Sequence, residues 1–440
     1  MSRSFKIITL GCKVNQFESA ALKSSLMELG LREAARKERA DITVVNTCIV
    51  TQKAAHQSRQ AIRAAAKANP SGLTAAIGCY AQVYPEELSP IPGIGLVAGN
   101  SVKPRLPEII ADLNAGDPQL RILEDFADQA SFECRPVRGF LNRTRAFLKV
   151  QDGCQSFCSY CIVPLARGPL RSLKPSQVLH ILEDLSGQGF KEVVLTGVHL
   201  GKYGFDLEDG EDLKGLLRLI GGEGLPLRIR LSSIEPNEIE QELIDMVASE
   251  DWLCRHFHIP LQSGDNTVLE RMKRPYRVEA FRDLLCHIHD NIPLAAIGVD
   301  IMAGFPGEDK RAHRNTLSLI QDLPISYLHV FPFSPRKGTE AAMFQGQLRP
   351  EMIKKRTEDI RGLDLRKREV FYGSCIGKDF LVLAEGWKGR QRLMIKGLSD
   401  NYLPVLFPSH REVNNEFVTV RIQGLDGLAL RGTSSTAESS

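Results

Sequence analysis

Three thiols crowded into one short stretch constrain this chain more than any other feature. Cys154, Cys158 and Cys161 stand in GCQSFCSYC at 153–161, spaced C-x3-C-x2-C. Structural zinc closes four ligands in paired C-x2-C or C-x2-H knuckles, and no fourth Cys or His stands at knuckle distance here. Three thiolates with one open corner suit a [4Fe–4S] cluster whose free iron can bind a substrate or cofactor. A structural zinc and a redox dithiol are the alternatives. The apolar run AFLKVQ (146–151) just before the motif reads as a strand, so the thiols follow a strand end.

Ten cysteines matter differently in different compartments. The chain has no apolar run near the ~18 residues of a membrane span. Its start, MSRSFKIITLGC, lacks the pattern of a secretory signal. A cytoplasmic protein with no membrane partner is therefore expected, and structural disulfides are rare there. Hydrophobic content of 43%, charged content of 25% and a net charge of +3 describe an ordinary globular chain. That charge does not by itself argue for a nucleic-acid partner.

The 440 residues are enough for two or three domains. Residues 1–115 alternate short apolar runs, FKIITL, ITVVNT and TAAIG, with helical patterns. That alternation predicts a small parallel α/β domain. A linker is expected over 116–143, with an Arg-rich end. Residues 144–370 repeat the strand–helix unit. AFLKVQ, KEVVLTG, LRIRLSS, RHFHIP, AAIGVDIM and SYLHVFPF are its strands, which predicts a partial (β/α)6 barrel. Short β runs over 371–433 predict a small all-β barrel, and 434–440 reads as a disordered tail. The fold class is α/β.

Cys12, Cys48 and Cys79 each directly follow a predicted strand. In a parallel sheet the strand C-termini share one edge, where such sheets place their ligands. Adjacent strands lie about 4.8 Å apart, so these three thiols can meet at a second cluster; three separate buried core cysteines are the alternative. Cys134, Cys254, Cys286 and Cys375 share no pattern and read as structural, Cys254 standing near His256 and His258.

The motif C-x3-C-x-aromatic-C, with Tyr160 in the aromatic slot, resembles the radical S-adenosylmethionine (SAM) superfamily. The resemblance implies that SAM takes the open corner of the Cys154–Cys158–Cys161 cluster, that its cleavage gives a 5′-deoxyadenosyl radical, and that Tyr160 lies near the adenine. The blocks LGCKVNQFES, NTC, GCYAQ, RAFLKVQDGCQSFCSYCIVPLARG, SSIEP, HIPLQSG, VLERMKRPY and DIMAGFPGE, with GLSDNYLPV near the end, resemble the radical SAM methylthiotransferases in order and over nearly the whole chain. LGCKVNQ and NYLPV are similar to the branch that modifies N6-threonylcarbamoyladenosine at tRNA position 37. The isopentenyladenosine and ribosomal-protein branches are the alternatives.

That family implies two [4Fe–4S] clusters, the second held by Cys12, Cys48 and Cys79 and carrying the sulfur to be methylated. It also implies tRNA as partner, an electron donor such as a flavodoxin or ferredoxin, and a sulfur donor. SAM contacts are expected at strand ends of the barrel: Thr196, Gly197, Glu235, Gln262, Ser263, Asp300 and Gly304, each of which also reads as a turn or capping residue. The C-terminal barrel resembles the TRAM domain, an RNA-binding module. Its acid-free run Lys388, Arg390, Arg392 and Lys396 is the expected RNA contact, alternate residues sharing one strand face; a solvated charged strand is the plainer reading. An electron-transfer iron–sulfur protein is the alternative of another class.

Overall fold

The computed structural model describes residues 2–126, 144–208, 210–388, 394–409, 411 and 413–434. Six parallel strands come first: β1 (Ser4–Thr9), β2 (Arg32–Glu33), β3 (Ile42–Thr47), β4 (Leu73–Gly78), β5 (Ile94–Ala98) and β6 (Leu120–Ile122). They lie in the order β2-β1-β3-β4-β5-β6. Parallel neighbours need crossovers; the helix Lys13–Glu28 supplies the one from β1 to β2 and the helix Gln52–Ala68 the one from β3 to β4. Side chains alternate between faces. Ile42, Val44, Ala75 and Ile77 pack with Leu22 and Leu26, while Val45 and Ala76 pack with Ala55 and Ile62. The expected linker carries β6. This strand is too short for a hydrophobic pattern, and Leu120 is exposed. The rest of that stretch, with Cys134, lies outside the described residues.

The second unit starts with β7 (Arg145–Lys149) and a short hairpin pairing β8 (Gln151–Asp152) with β9 (Arg171–Ser172). It continues with β10 (Glu192–Thr196), β11 (Arg228–Leu231), β12 (His256–Gln262), β13 (Ala296–Ala303) and β14 (Tyr327–Pro332). β11-β10-β7 and β12-β13-β14 form two parallel half-sheets. A bridge between Ile229 and Leu253, and a bond from the Ile234 N–H to the His258 carbonyl (3.0 Å), join the halves. The result is the expected open six-strand arc. Val193, Leu195, Ile229, Phe257, Ile259, Val299 and Ile301 form its apolar core with the helices. The alternate positions Glu192, Thr196, Arg228, Arg230, His256, His258 and Asp300 are polar.

The helix Pro350–Ser374 packs against β13 and β14 and runs beyond position 371. β15 (Asp379–Lys388), β16 (Met394–Ser399), β17 (Pro404–Pro408), β18 (Phe417–Asp426) and β19 (Ala429–Ser434) then close a barrel in the order β15-β16-β17-β19-β18, which fits a TRAM-like domain. Among the described residues no helix is long and apolar enough to cross a membrane.

One buried carboxylate ties the closed barrel to the arc. Glu192 accepts from Arg228 Nε (2.9 Å) and Arg230 Nε (2.8 Å). The rest of these two guanidiniums donates to the carbonyls of Leu381 (3.0 Å), Leu398 (3.1 Å), Ser399 (3.0 Å) and Asp400 (2.7 Å). Burial favours the neutral acid, but Arg230 and Arg228 outweigh it and hold Glu192 at about 2, below the ordinary 4.5. Its contribution is therefore present above about pH 4.5 and is lost as pH falls towards 2. Glu192→Gln leaves two buried guanidiniums uncompensated. Denaturant unfolding at pH 7 is expected to show a loss of about 3–5 kcal/mol, and the variant should lose less stability than the parent between pH 4.5 and the acid limit.

Candidate functional site

The sheet register positions the first three thiols. Thr9 pairs with Asn46, and Thr47 with Gly78. Cys48 and Cys79 come directly after β3 and β4, and Cys12 caps the helix Lys13–Glu28 just beyond β1. Strand β1 has β2 on one side and β3 on the other, so the crevice between β1 and β3 is a topological switch point, where such sheets bind ligands. Close approach here depends on two glycines. A Cβ on Gly11 (φ +96°) would lie 2.8 Å from the Cys48 Cβ and 2.9 Å from its Sγ; one on Gly78 (φ +95°) would lie 2.4 Å from Asn46 Oδ1. Burial, and then the neighbouring Cys79 thiol, push Cys48 up to about 11. Asn100 Nδ2 lies 3.4 Å from Cys79 Sγ.

The second three thiols occupy the loop after β8. Cys154 Sγ is 3.5 Å from His199 Nδ1, and His199 Nε2 is 2.8 Å from Glu238 Oε1. Burial opposes ionisation of Cys154, but His199 outweighs it and holds the thiol below its ordinary value. Arg274 donates to Cys158 Sγ (3.4 Å) and pairs with Glu235. Burial pushes Cys161 up to about 12. Tyr160 packs edge-on against Phe305, ring centres 6.4 Å apart. His199 and Arg274 escaped the sequence reading because no spacing links either to its cysteine.

Between the two sets lies a buried ionic cluster. Arg167 bonds Glu18 (2.5 Å), Asp152 (3.3 Å) and Asn15 (2.6 Å). Lys149 bonds Glu18 (2.8 Å) and Asp152 (2.9 Å), and Lys103 also pairs with Glu18. Glu18 and Asn15 belong to the helix that Cys12 caps; Asp152 and Arg167 flank the loop of the second thiols. Burial works against each charge, yet Arg167 and its fellow cations keep Glu18 well below the usual carboxylate range.

A cavity of about 490 Å³ opens beside this cluster. Cys12, Cys48 and Cys79 line it together with Thr196, Gly197 and Asp300 from the arc. It is also lined by Lys13, Tyr327, His329 and Tyr402, which the sequence did not single out, and by His256 and His258, noted there only for standing near Cys254. Asp300 accepts from His258 Nε2 (2.8 Å) and faces His329 Nδ1 (3.4 Å). The other expected SAM contacts sit elsewhere. Glu235 pairs with Arg274 beside Cys158. Gln262 forms a bulge at φ +68°, Ser263 Oγ accepts from the Asp265 N–H (3.3 Å), and the Gly304 N–H donates to Glu308 (2.7 Å). None of these four lines the cavity. Of the expected RNA contacts, Arg390, Arg392 and the Lys388 side chain lie outside the described residues. The stretch that reads as acid-free is not so in space: Lys396 pairs with Glu385 across the strands at 3.3 Å.

Comparison with known proteins follows this division of the chain. The model described as "Uncharacterized protein family UPF0004" matches residues 4–99, and that of the radical SAM superfamily matches residues 148–320. The chain is 39% identical over 410 residues to the threonylcarbamoyladenosine tRNA methylthiotransferase MtaB of Aquifex aeolicus, covering 92% of this chain and 97% of that one. It is 31% identical to the tRNA-2-methylthio-N(6)-dimethylallyladenosine synthase of Moorella thermoacetica, covering 98% of each. In structure it is similar to the radical S-adenosylmethionine methyltransferase TsrM from Kitasatospora setae, with a TM-score of 0.57, 18% identity and coverage of 78% and 77%. With both halves of the architecture matched in order, and relatives aligned over almost its full length, the chain belongs to the radical SAM methylthiotransferase family of enzymes.

Proposed function

We propose that this chain is the threonylcarbamoyladenosine type of tRNA methylthiotransferase, replacing the adenine C2–H of N6-threonylcarbamoyladenosine at tRNA position 37 with a methylthio group. The observation that carries this reading is the pair of three-thiol sites held on either side of one buried ionic cluster. The higher identity to the threonylcarbamoyladenosine relative than to the dimethylallyladenosine one supports the branch.

The family implies SAM and a [4Fe–4S] cluster. Bound SAM and cluster supply radical chemistry, which a C–H bond without useful acidity requires. Cys154, Cys158 and Cys161 would hold that cluster. Their surroundings fit a thiolate ligand set, because His199 and Arg274 hydrogen-bond two of the three sulfurs. Cys12, Cys48 and Cys79 would hold a second cluster that carries the transferred sulfur. Arg167, whose charge favours ionised Cys12 and Cys48, supports that role.

Thr196, Gly197 and Asp300 stand where SAM or the base would meet the cavity, and Glu235 stands beside Cys158. Tyr160, Gln262, Ser263 and Gly304, which lie outside the cavity lining, are proposed as further SAM contacts. The closed C-terminal barrel would dock tRNA, with Lys388, Arg390, Arg392 and Lys396 towards phosphate. A flavodoxin or ferredoxin as electron donor and a separate sulfur donor complete the scheme.

The reading is tested by mass spectrometry of tRNA nucleosides from cells with and without the gene. Loss of 2-methylthio-N6-threonylcarbamoyladenosine is expected, whereas loss of the isopentenyl product instead would refute the branch. Anaerobically reconstituted protein should hold about eight irons per chain. Replacing Cys154, Cys158 and Cys161 with Ala should leave about half, as should replacing Cys12, Cys48 and Cys79; a second triple variant with full iron would remove the N-terminal cluster. Cys158→Ala should abolish 5′-deoxyadenosine formation, while Cys48→Ala should still cleave SAM and make no methylthiolated product. Chromatography of the two reaction mixtures separates these outcomes.

A further inference from the structure

Lys13 opens the helix Lys13–Glu28 next to Cys12, and its half-buried side chain lines the cavity. Among the described residues its ammonium has no hydrogen bond and no ion pair. A partly desolvated ammonium without a partner is unfavourable. The carboxylates that reach it by charge are already engaged: Glu192 by Arg228 and Arg230, Asp300 by His258 and His329. Lys13 is thus a cation waiting for an anion that none of the described residues supplies.

The cavity wall opposite is aromatic. His256 and Tyr402 stack with ring centres 4.6 Å apart, and Tyr327 lies 5.7 Å from Tyr402. Tyr402 comes from the turn of the closed barrel that Arg230 holds at Ser399 and Asp400. Flat rings with a single unmatched cation suit a planar base that bears an acidic side chain.

Resting on the substrate reading above, we infer that Lys13 is a specificity residue that binds the threonine carboxylate of the threonylcarbamoyl group. A dimethylallyl group has no charge and would leave this ammonium unpaired. A site built around a buried polar partner rejects a ligand that lacks it.

The test uses the reconstituted full chain and three anticodon stem-loops that differ only at adenosine 37: threonylcarbamoyl, its methyl ester, and dimethylallyl. Equilibrium binding should favour the acid over the ester by about tenfold in the parent protein, the effect of one charge-assisted contact. Lys13→Gln should bring the acid down to the level of the ester, and Lys13→Arg should restore most of the difference. Iron content and melting temperature report whether the variants are intact. The parent comparison needs no variant: equal binding of acid and ester overturns the inference outright. An unchanged acid preference in Lys13→Gln also overturns it, while parent turnover of the threonylcarbamoyl stem-loop leaves the substrate reading standing. A parent that converts only the dimethylallyl stem-loop overturns both.

Discussion

The geometry of both thiol sites depends on one buried ionic cluster. Glu18, Lys103, Lys149, Asp152 and Arg167 are taken out of water together. Each charge loses hydration on burial, and only close partners offset that loss. The cluster therefore tolerates little displacement of its members. Glu18 rides on the helix that Cys12 caps, and Asp152 and Arg167 bracket the loop bearing Cys154, Cys158 and Cys161. Phe17, beside Glu18, is buried in the core of the arc. Charge and apolar packing together lock the parallel sheet to the arc, and so set where one set of thiols stands relative to the other.

A second constraint comes from what fills the arc. Strands of an ordinary eight-unit barrel pack apolar layers inside. Here alternate positions of β10, β11, β12 and β13 turn Glu192, Arg228, Arg230, His256, His258 and Asp300 inward. The turn Ser399–Leu403 of the closed barrel closes over them, its carbonyls satisfying the arginines and Asn401 donating to the Leu294 carbonyl (2.9 Å). Tyr402, at the tip, adopts φ +66°, a conformation costly for a residue with a side chain. The closed barrel is thus part of the cavity wall as well as a separate fold.

These features explain what the sequence could and could not reveal. All six arc strands were legible as short apolar runs between helical patterns, as were β1, β3 and β4. β6 was not, being three residues long. The polar positions in RIRL and HFHI carry no sign of where they face, since a strand's own pattern does not distinguish water from a polar interior. His199, Arg274 and Tyr402 gain their meaning from partners far along the chain, and Lys13 from the cavity it lines. The expected basic face met the same limit: the run from Lys388 to Lys396 holds no acid in sequence, yet Glu385 is the neighbour of Lys396 on the adjoining strand.

The cysteines show why company matters more than burial. Cys161 and Cys254 are both pushed up to about 12 by burial, so each alone would remain an inert thiol. Cys254 has for neighbours Arg230, Glu192 and Arg228, which already satisfy one another. Cys161 shares its site with Cys158 and Cys154, and these carry Arg274 and His199 as donors. Three thiols together make ionisation harder for each in an empty site, because every thiolate repels the next. A multivalent iron centre reverses that sign, since it draws the protons off and binds all three sulfurs at once. The neighbouring Cys79 thiol makes Cys48 reluctant to ionise in the same way, so any cation that takes up these sulfurs has to displace their protons.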